Sequence, residues 1–188
     1  MLSLSELKPG IVFVMDGDPW QVLEAQFVKM AQRTGHVEAK IRNLRIGNVL
    51  TRSFKQADRV QEAEVKRLRS QFVFGHRGRY VFSEANNPAR RFEFSEERVG
   101  EERFYLVPKL ELTALEFSGE ILAIELPPKV DLRVTEAPPW VKGDTASGGT
   151  KTVLCETGLK VQTPPFIEAG AVIRVNTRTG AYVERVEK

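Results

Sequence analysis

The groups best equipped for chemistry in this 188-residue chain are a run of cations, one thiol and two imidazoles. Between Lys29 and Arg59 stand Lys29, Arg33, Lys40, Arg42, Arg45, Arg52, Lys55 and Arg59, opposed within the segment by Glu38 and Asp58. Cations at that density neutralise phosphates and release their counterions, the main sequence-independent source of affinity for nucleic acid. The same charges also serve as ordinary solvated surface, so the run alone does not choose. Cys155 with His36 or His76 would supply a nucleophile and a base. Both histidines lie in polar turn sequences, whereas Cys155 stands in an apolar run, the usual setting of an inert thiol. No Cys-x-x-Cys, His-Glu-x-x-His or lysine-bearing phosphate loop occurs, so neither a metal nor a cofactor is expected. Gly148, Gly149 and Lys151 superficially resemble a phosphate loop. They lack its glycine spacing and following helix, and flexible backbone lying against RNA explains them better. The chain is not expected to be an enzyme.

These groups must be positioned by short β-rich runs separated by turn signals, which predicts an all-β chain of small barrels. In the first third the strand candidates are 11–14, 20–23, 26–28, 37–41 and 49–54, with turns at Asp16-Gly17 and Ile46-Gly47-Asn48. Residues 29–36 then form a projecting hairpin loop, with Val37, Ala39 and Ile41 buried and Glu38, Lys40 and Arg42 outside. The middle third offers 70–74, 79–82, 92–94, 104–107, 110–112, 114–117 and 120–126. Its phenylalanines fall at alternating positions and are assigned chiefly to a barrel core rather than to base stacking. Val130–Val134, 152–154, 160–161 and Ala171–Val175 complete a five-stranded count in the last third. The polar stretch near Val65 and the pair Pro127-Pro128 divide the chain into domains 1–65, 66–127 and 128–188.

Composition excludes other classes. Apolar residues make up 41% and charged residues 28%, with a formal net charge of +3, the balance of an ordinary globular protein. No apolar run approaches the roughly 20 residues that cross a bilayer. Residues 1–10 lack the apolar stretch of a secretory signal, and the single cysteine suits a reducing compartment; a cytoplasmic monomer is expected.

One stretch carries more specific information. Gly143 to Lys151 continues through Glu156-Thr157-Gly158 to Val161 and Pro164-Pro165-Phe166-Ile167, and the chain closes on Val175 to Arg185 with a turn glycine at 180. With Leu7-Lys8-Pro9-Gly10, Gly17 and Trp20 at the other end, the sequence resembles bacterial translation elongation factor P over its whole length. The resemblance implies an SH3-like (KOW-type) N-terminal barrel followed by two OB-fold barrels. It further implies a factor that binds the ribosome beside peptidyl-tRNA and relieves stalling at consecutive prolines. By that alignment Gln32 stands where the family commonly carries a modified lysine or arginine, and Met30-Ala31 where Pro-Gly is common. Lys29, Gln32 and Arg33 would meet the tRNA acceptor end. Gln32 offers no amine or guanidinium to a modifying enzyme. Arg33 would make the contact itself, be the modified residue after a shift of the loop tip by one position, or serve only solubility. Lys40, Arg42, Arg45, Gly148, Gly149, Lys151, Tyr182 and Arg185 are candidates for the RNA backbone. The alternative is a general single-strand RNA-binding protein that uses barrel faces and aromatic stacking.

Overall fold

The computed structural model describes residues 1–30, 33–140 and 149–186. Among them the chain is all-β, with three five-stranded sheets each built from five consecutive strands. The first sheet contains β1 (Val12–Met15), β2 (Asp18–Met30), β3 (Arg33–Asn43), β4 (Val49–Phe54) and β5 (Gln61–Glu62), in the spatial order β4-β3-β2-β1-β5. Asp16 and Gly17 form the β1–β2 turn at φ 56° and 84°, closing Met15 opposite Asp18. A two-residue turn with both φ positive matches the twist of the strands it joins, which is why Asp-Gly marks it in sequence. Alternation along β3 buries Val37, Ala39 and Ile41 beside Phe13, Val22 and Phe54, and leaves Glu38 and Lys40 exposed. Phe13 meets Phe54 edge to face at 5.6 Å, the geometry that the ring quadrupoles favour.

The second sheet contains β6 (Val65–His76), β7 (Arg79–Glu84), β8 (Asn87–Ser95), β9 (Glu111–Phe117) and β10 (Glu120–Glu125), ordered β10-β9-β6-β7-β8. The third contains β11 (Lys129–Glu136), β12 (Lys151–Cys155), β13 (Lys160–Thr163), β14 (Val172–Asn176) and β15 (Tyr182–Val186), ordered β13-β12-β11-β14-β15. Numbered within each sheet, both read 3-2-1-4-5, with the first strand central. In the third sheet β13 also approaches β15, so the sheet curls toward closure.

A strand expected at 104–107 is instead the end of a helical connection. A short helix, α1 (Glu96–Val99), leads into a 3₁₀ turn, Gly100–Tyr105. Ser95 Oγ accepts from the Arg98 N–H at 3.4 Å, and Glu96 and Glu97 occupy the first turn. A capping hydroxyl and acidic residues at a helix start satisfy its free N–H groups and its dipole, while the Phe104 carbonyl accepts from the Thr157 hydroxyl.

By compactness the chain falls into two units: Met1–Leu68 with Ala114–Ala123, and Arg69–Thr113 with Ile124–Lys188. The first unit is filled by the β1–β4 core, and by a second cluster of Val12, Leu44, Ala63, Leu115 and Leu122. In the second unit Leu132, Ile167, Ile173 and Val175, each fully buried, centre the core of the third sheet. Burying a side chain of that kind stabilises by roughly 1.5–3 kcal/mol.

Candidate nucleic-acid interface

The hairpin of β2 and β3 holds the first group of candidates. Its ladder runs from Trp20 opposite Asn43 out to Val28 opposite His36 and Met30 opposite Arg33, with a bulge near Val28. Most of the segment expected as loop 29–36 is therefore paired strand. Residues 31 and 32 lie outside the described residues, Gln32 among them. Lys29 is exposed next to that end, and the backbone of Arg33 belongs to β3.

One feature of the stem carries no sequence signal. The ring of Phe27, 53% exposed, lies over Gly35, so a Cβ at 35 would run into the ring's Cζ and stand 2.9 Å from Cε1. Phe27 pairs with Val37, and Gly35 is two residues along β3 on the same face. The ring fills the space a glycine leaves and covers backbone that a bare strand would expose, the relation known as aromatic rescue.

Lys40, Arg42 and Arg45, the three cations of the basic run expected at the RNA backbone, are held differently. Lys40 Nζ lies 3.4 Å from Glu24 Oε1, an exposed pair across the β2–β3 ladder, where the two residues stand opposite. Arg42 is half-buried and engaged by neighbours. Arg45 donates to Asp18 Oδ1 at 3.1 Å and to Glu120 Oε2 at 2.9 Å. Asn43 completes this knot: its amide donates to Asp18 at 3.1 Å, and its carbonyl accepts from the N–H groups of Arg45 and Ile46. The linear segment shows only Glu38 and Asp58 as opposing charges. Sheet pairing and the β9–β10 hairpin bring in Glu24, Asp18 and Glu120, which sequence spacing does not reveal.

In the third sheet, Lys151 Nζ donates to the Pro138 carbonyl at 3.2 Å, and the indole of Trp140 covers Gly149 closely enough that a Cβ there would overlap it. Gly148 lies outside the described residues. Tyr182 stands opposite Val175, half-buried against the core, while Arg185 is exposed. Arg174 bridges Asp131, at 2.7 and 3.0 Å, and Glu184, at 2.8 Å. Hydrogen bonds to those carboxylates hold its guanidinium firmly protonated and engage each of its three nitrogens.

Cys155 is 2% exposed, and burial, aided by the Glu156 charge, pushes its thiol up to about 11. Among the described residues no group of three or more His, Cys, Asp or Glu side chains is placed to hold a metal ion. No helix among them is long and apolar enough to cross a membrane.

Matches near both ends of the chain place it among translation elongation factors. Residues 3–60 match the family model of the elongation factor P KOW-like domain, and residues 130–185 match that of the elongation factor P C-terminal domain. Elongation factor P of Desulfatibacillum aliphaticivorans is 37% identical over 188 residues, and that of Syntrophus aciditrophicus (strain SB) 38% identical over 187, each covering 100% of both chains. The chain belongs to the elongation factor P family. Among solved structures, eukaryotic translation initiation factor 5A from Methanococcus jannaschii aligns over 66% of this chain and 93% of its own, at 14% identity and a TM-score of 0.44.

Proposed function

We propose that this elongation factor binds the ribosome beside peptidyl-tRNA and stimulates peptide-bond formation, relieving stalling at consecutive prolines. The observation that supports this reading is the β2–β3 hairpin, laddered as far as Met30 and Arg33. A paired stem presents its end with less conformational freedom than a loop of eight residues, so contacts at that end are made at a lower entropic cost. Lys29 and Arg33 flank the connection and supply cations for the acceptor end, with Gln32 between them as a neutral donor and acceptor. Lys40 and Arg185, both exposed, are the simplest phosphate contacts; Arg42, Arg45, Lys151, Gly149 and Tyr182 act by shaping the surface around them. The factor performs no acid–base step. Proline is a conformationally restricted participant in peptide transfer, and the factor favours a reactive tRNA geometry by position.

The test is reconstituted translation of a message with a proline run, with factor at saturating concentration. Arg33→Ala keeps nearly all ribosome binding and loses rescue, because a contact made only in the reactive geometry changes rate far more than affinity. Gln32→Ala does less harm, and the intact mass of the native protein equals that encoded. Full rescue by Arg33→Ala would exclude Arg33. Mass added on Lys29, Gln32 or Arg33 would replace the unmodified tip with a modified one.

A further inference from the structure

β6 and β7 pair Phe72 with Phe82 and next Phe74 with Val81, so Val73 is the extra residue of a bulge. Strict alternation would send Phe74 after Phe72 into the core. The extra residue uses up one alternation and turns Phe74 to the opposite face. Burial agrees: Phe72 is 4% exposed, Phe82 0% and Phe94 6%, whereas Phe74 is 47% exposed. Phe72, Phe82, Phe92 and Phe94 form one cluster with centroid separations of 5.3 to 5.9 Å, and Phe74 takes no part in it. Bulges recur where a strand re-aims a side chain toward a ligand.

The surroundings of the ring say what ligand. Its row across the sheet runs to Val81 and Glu93, and the next row is His76, Arg79 and Ser95. Arg77 and Gly78 form the β6–β7 turn at φ 48° and 75°, placing Arg77 at the hairpin tip, exposed. Phe74, His76 and Arg77 line one edge of a cleft of about 420 Å³. Arg79 pairs with Glu93 at 3.5 Å, and Glu156 also lines the cleft, which leaves Arg77 at the tip as the cation beside the ring. An exposed ring set among charged side chains is not the contiguous apolar patch that protein docking uses. It is the pairing that unpaired nucleotides use: a base stacks on an aromatic face, and guanidinium groups meet the adjoining phosphate. The second sheet has the strand order of barrels that take oligonucleotides on the face of strands two and three and on the loop joining strands one and two; here these are β7, β8 and the Arg77 turn.

We propose that Phe74, with His76 and Arg77, is a binding site for an unpaired RNA nucleotide, whose base stacks on the Phe74 ring while Arg77 meets its phosphate. The site lies in a different unit from the β2–β3 hairpin and goes beyond the role given to that hairpin.

The full-length protein is titrated with octamers of uridylate and of adenylate. Phe74→Ala weakens binding of both about tenfold or more, since stacking tolerates any base. Phe74→Trp retains binding, and its added indole is quenched by RNA beyond the change seen in the unsubstituted chain. Arg77→Ala weakens binding and lowers the salt slope by about one. Matching melting curves separate these losses from misfolding. No binding by the unsubstituted chain at low salt, an undiminished affinity in Phe74→Ala, or an unquenched Trp at saturating RNA would each overturn the proposal. Because no ribosome is present, failure here leaves the proline-run reading intact, and failure of that reading leaves this one.

Discussion

At the residue scale, Lys40 and Arg45 are neighbours in sequence with different bonding. Lys40 has an exposed partner at 3.4 Å, and exposed pairs contribute little after screening and side-chain entropy. Lys40→Ala therefore changes stability by less than about 0.5 kcal/mol, and it lowers the salt slope of ribosome binding by about one. Arg45→Ala removes a partner from Asp18 and from Glu120 at once, and with both pairs partly exposed it costs up to about 1 kcal/mol in denaturant unfolding. An equal stability loss for the two would deny the difference drawn here. Cys155 gives a pH test. Its thiol is raised from 9.0 to about 11 in the fold, so the folded state binds the proton more tightly than the unfolded one. Stability is fully present below about pH 9 and falls as pH rises through 11. Thiol labelling below pH 9 stays slow until denaturant is added; fast labelling of the folded chain would contradict the burial. The inert thiol and the buried set Val37, Ala39 and Ile41 were legible from local pattern. Glu24, Asp18 and Glu120 were not, because their roles depend on cross-strand register and on a hairpin some 75 residues distant, as Arg45 is from Glu120.

At the element scale, the β2–β3 stem rests on Gly35 and the ring above it. Gly35→Ala forces the Phe27 ring aside, so the last rungs of the ladder open more often. Amides beyond Val28 and His36 then exchange faster with solvent, and rescue of proline runs falls. Phe27→Ala removes the obstacle, and adding Gly35→Ala to it costs little more. This non-additivity in a double-mutant cycle is the expected outcome; additive losses would show that the ring and the glycine act separately. The reading of 29–36 as a loop missed the extra paired length because Arg33, Thr34 and His36 are polar and show no alternation of apolar and polar residues in sequence. Phe74 escaped for a related reason. Its spacing from Phe72 is that of a core pair, and a bulge changes the face without changing the spacing. The strand expected at 104–107 failed because the Phe104 carbonyl is held by Thr157, 53 residues further along, a contact no local window contains.

At the scale of the whole molecule, each unit carries one tryptophan, Trp20 at 7% exposure and Trp140 at 37%. Acrylamide quenches the emission of the native chain in two classes, and Trp140→Phe leaves only the shielded one, with a shorter emission maximum. A single accessible class in that variant would contradict the burial of Trp20, whose indole N–H donates to the Met15 carbonyl at 3.2 Å. The all-β class and most strands were readable because they depend on local pattern; the shared strand order of the second and third sheets is set by partner choice, and it was anticipated through the family resemblance, with its two OB-fold barrels, rather than through the strand pattern. That shared order has a consequence during synthesis. Two sheets with the same blueprint offer each other's strands a plausible wrong slot beside β6 or β11. A nascent chain delivers β6 to β10 as a complete set before β11 emerges, so N-terminal-first synthesis is expected to lessen that competition. A chain diluted from denaturant has all ten strands at once and no such schedule. Its refolding should show a slow, trapped fraction that shrinks when residues 1–127 are allowed to fold before the remainder is joined to them, and the ribosome on which the factor is made is then also what keeps its two look-alike sheets apart.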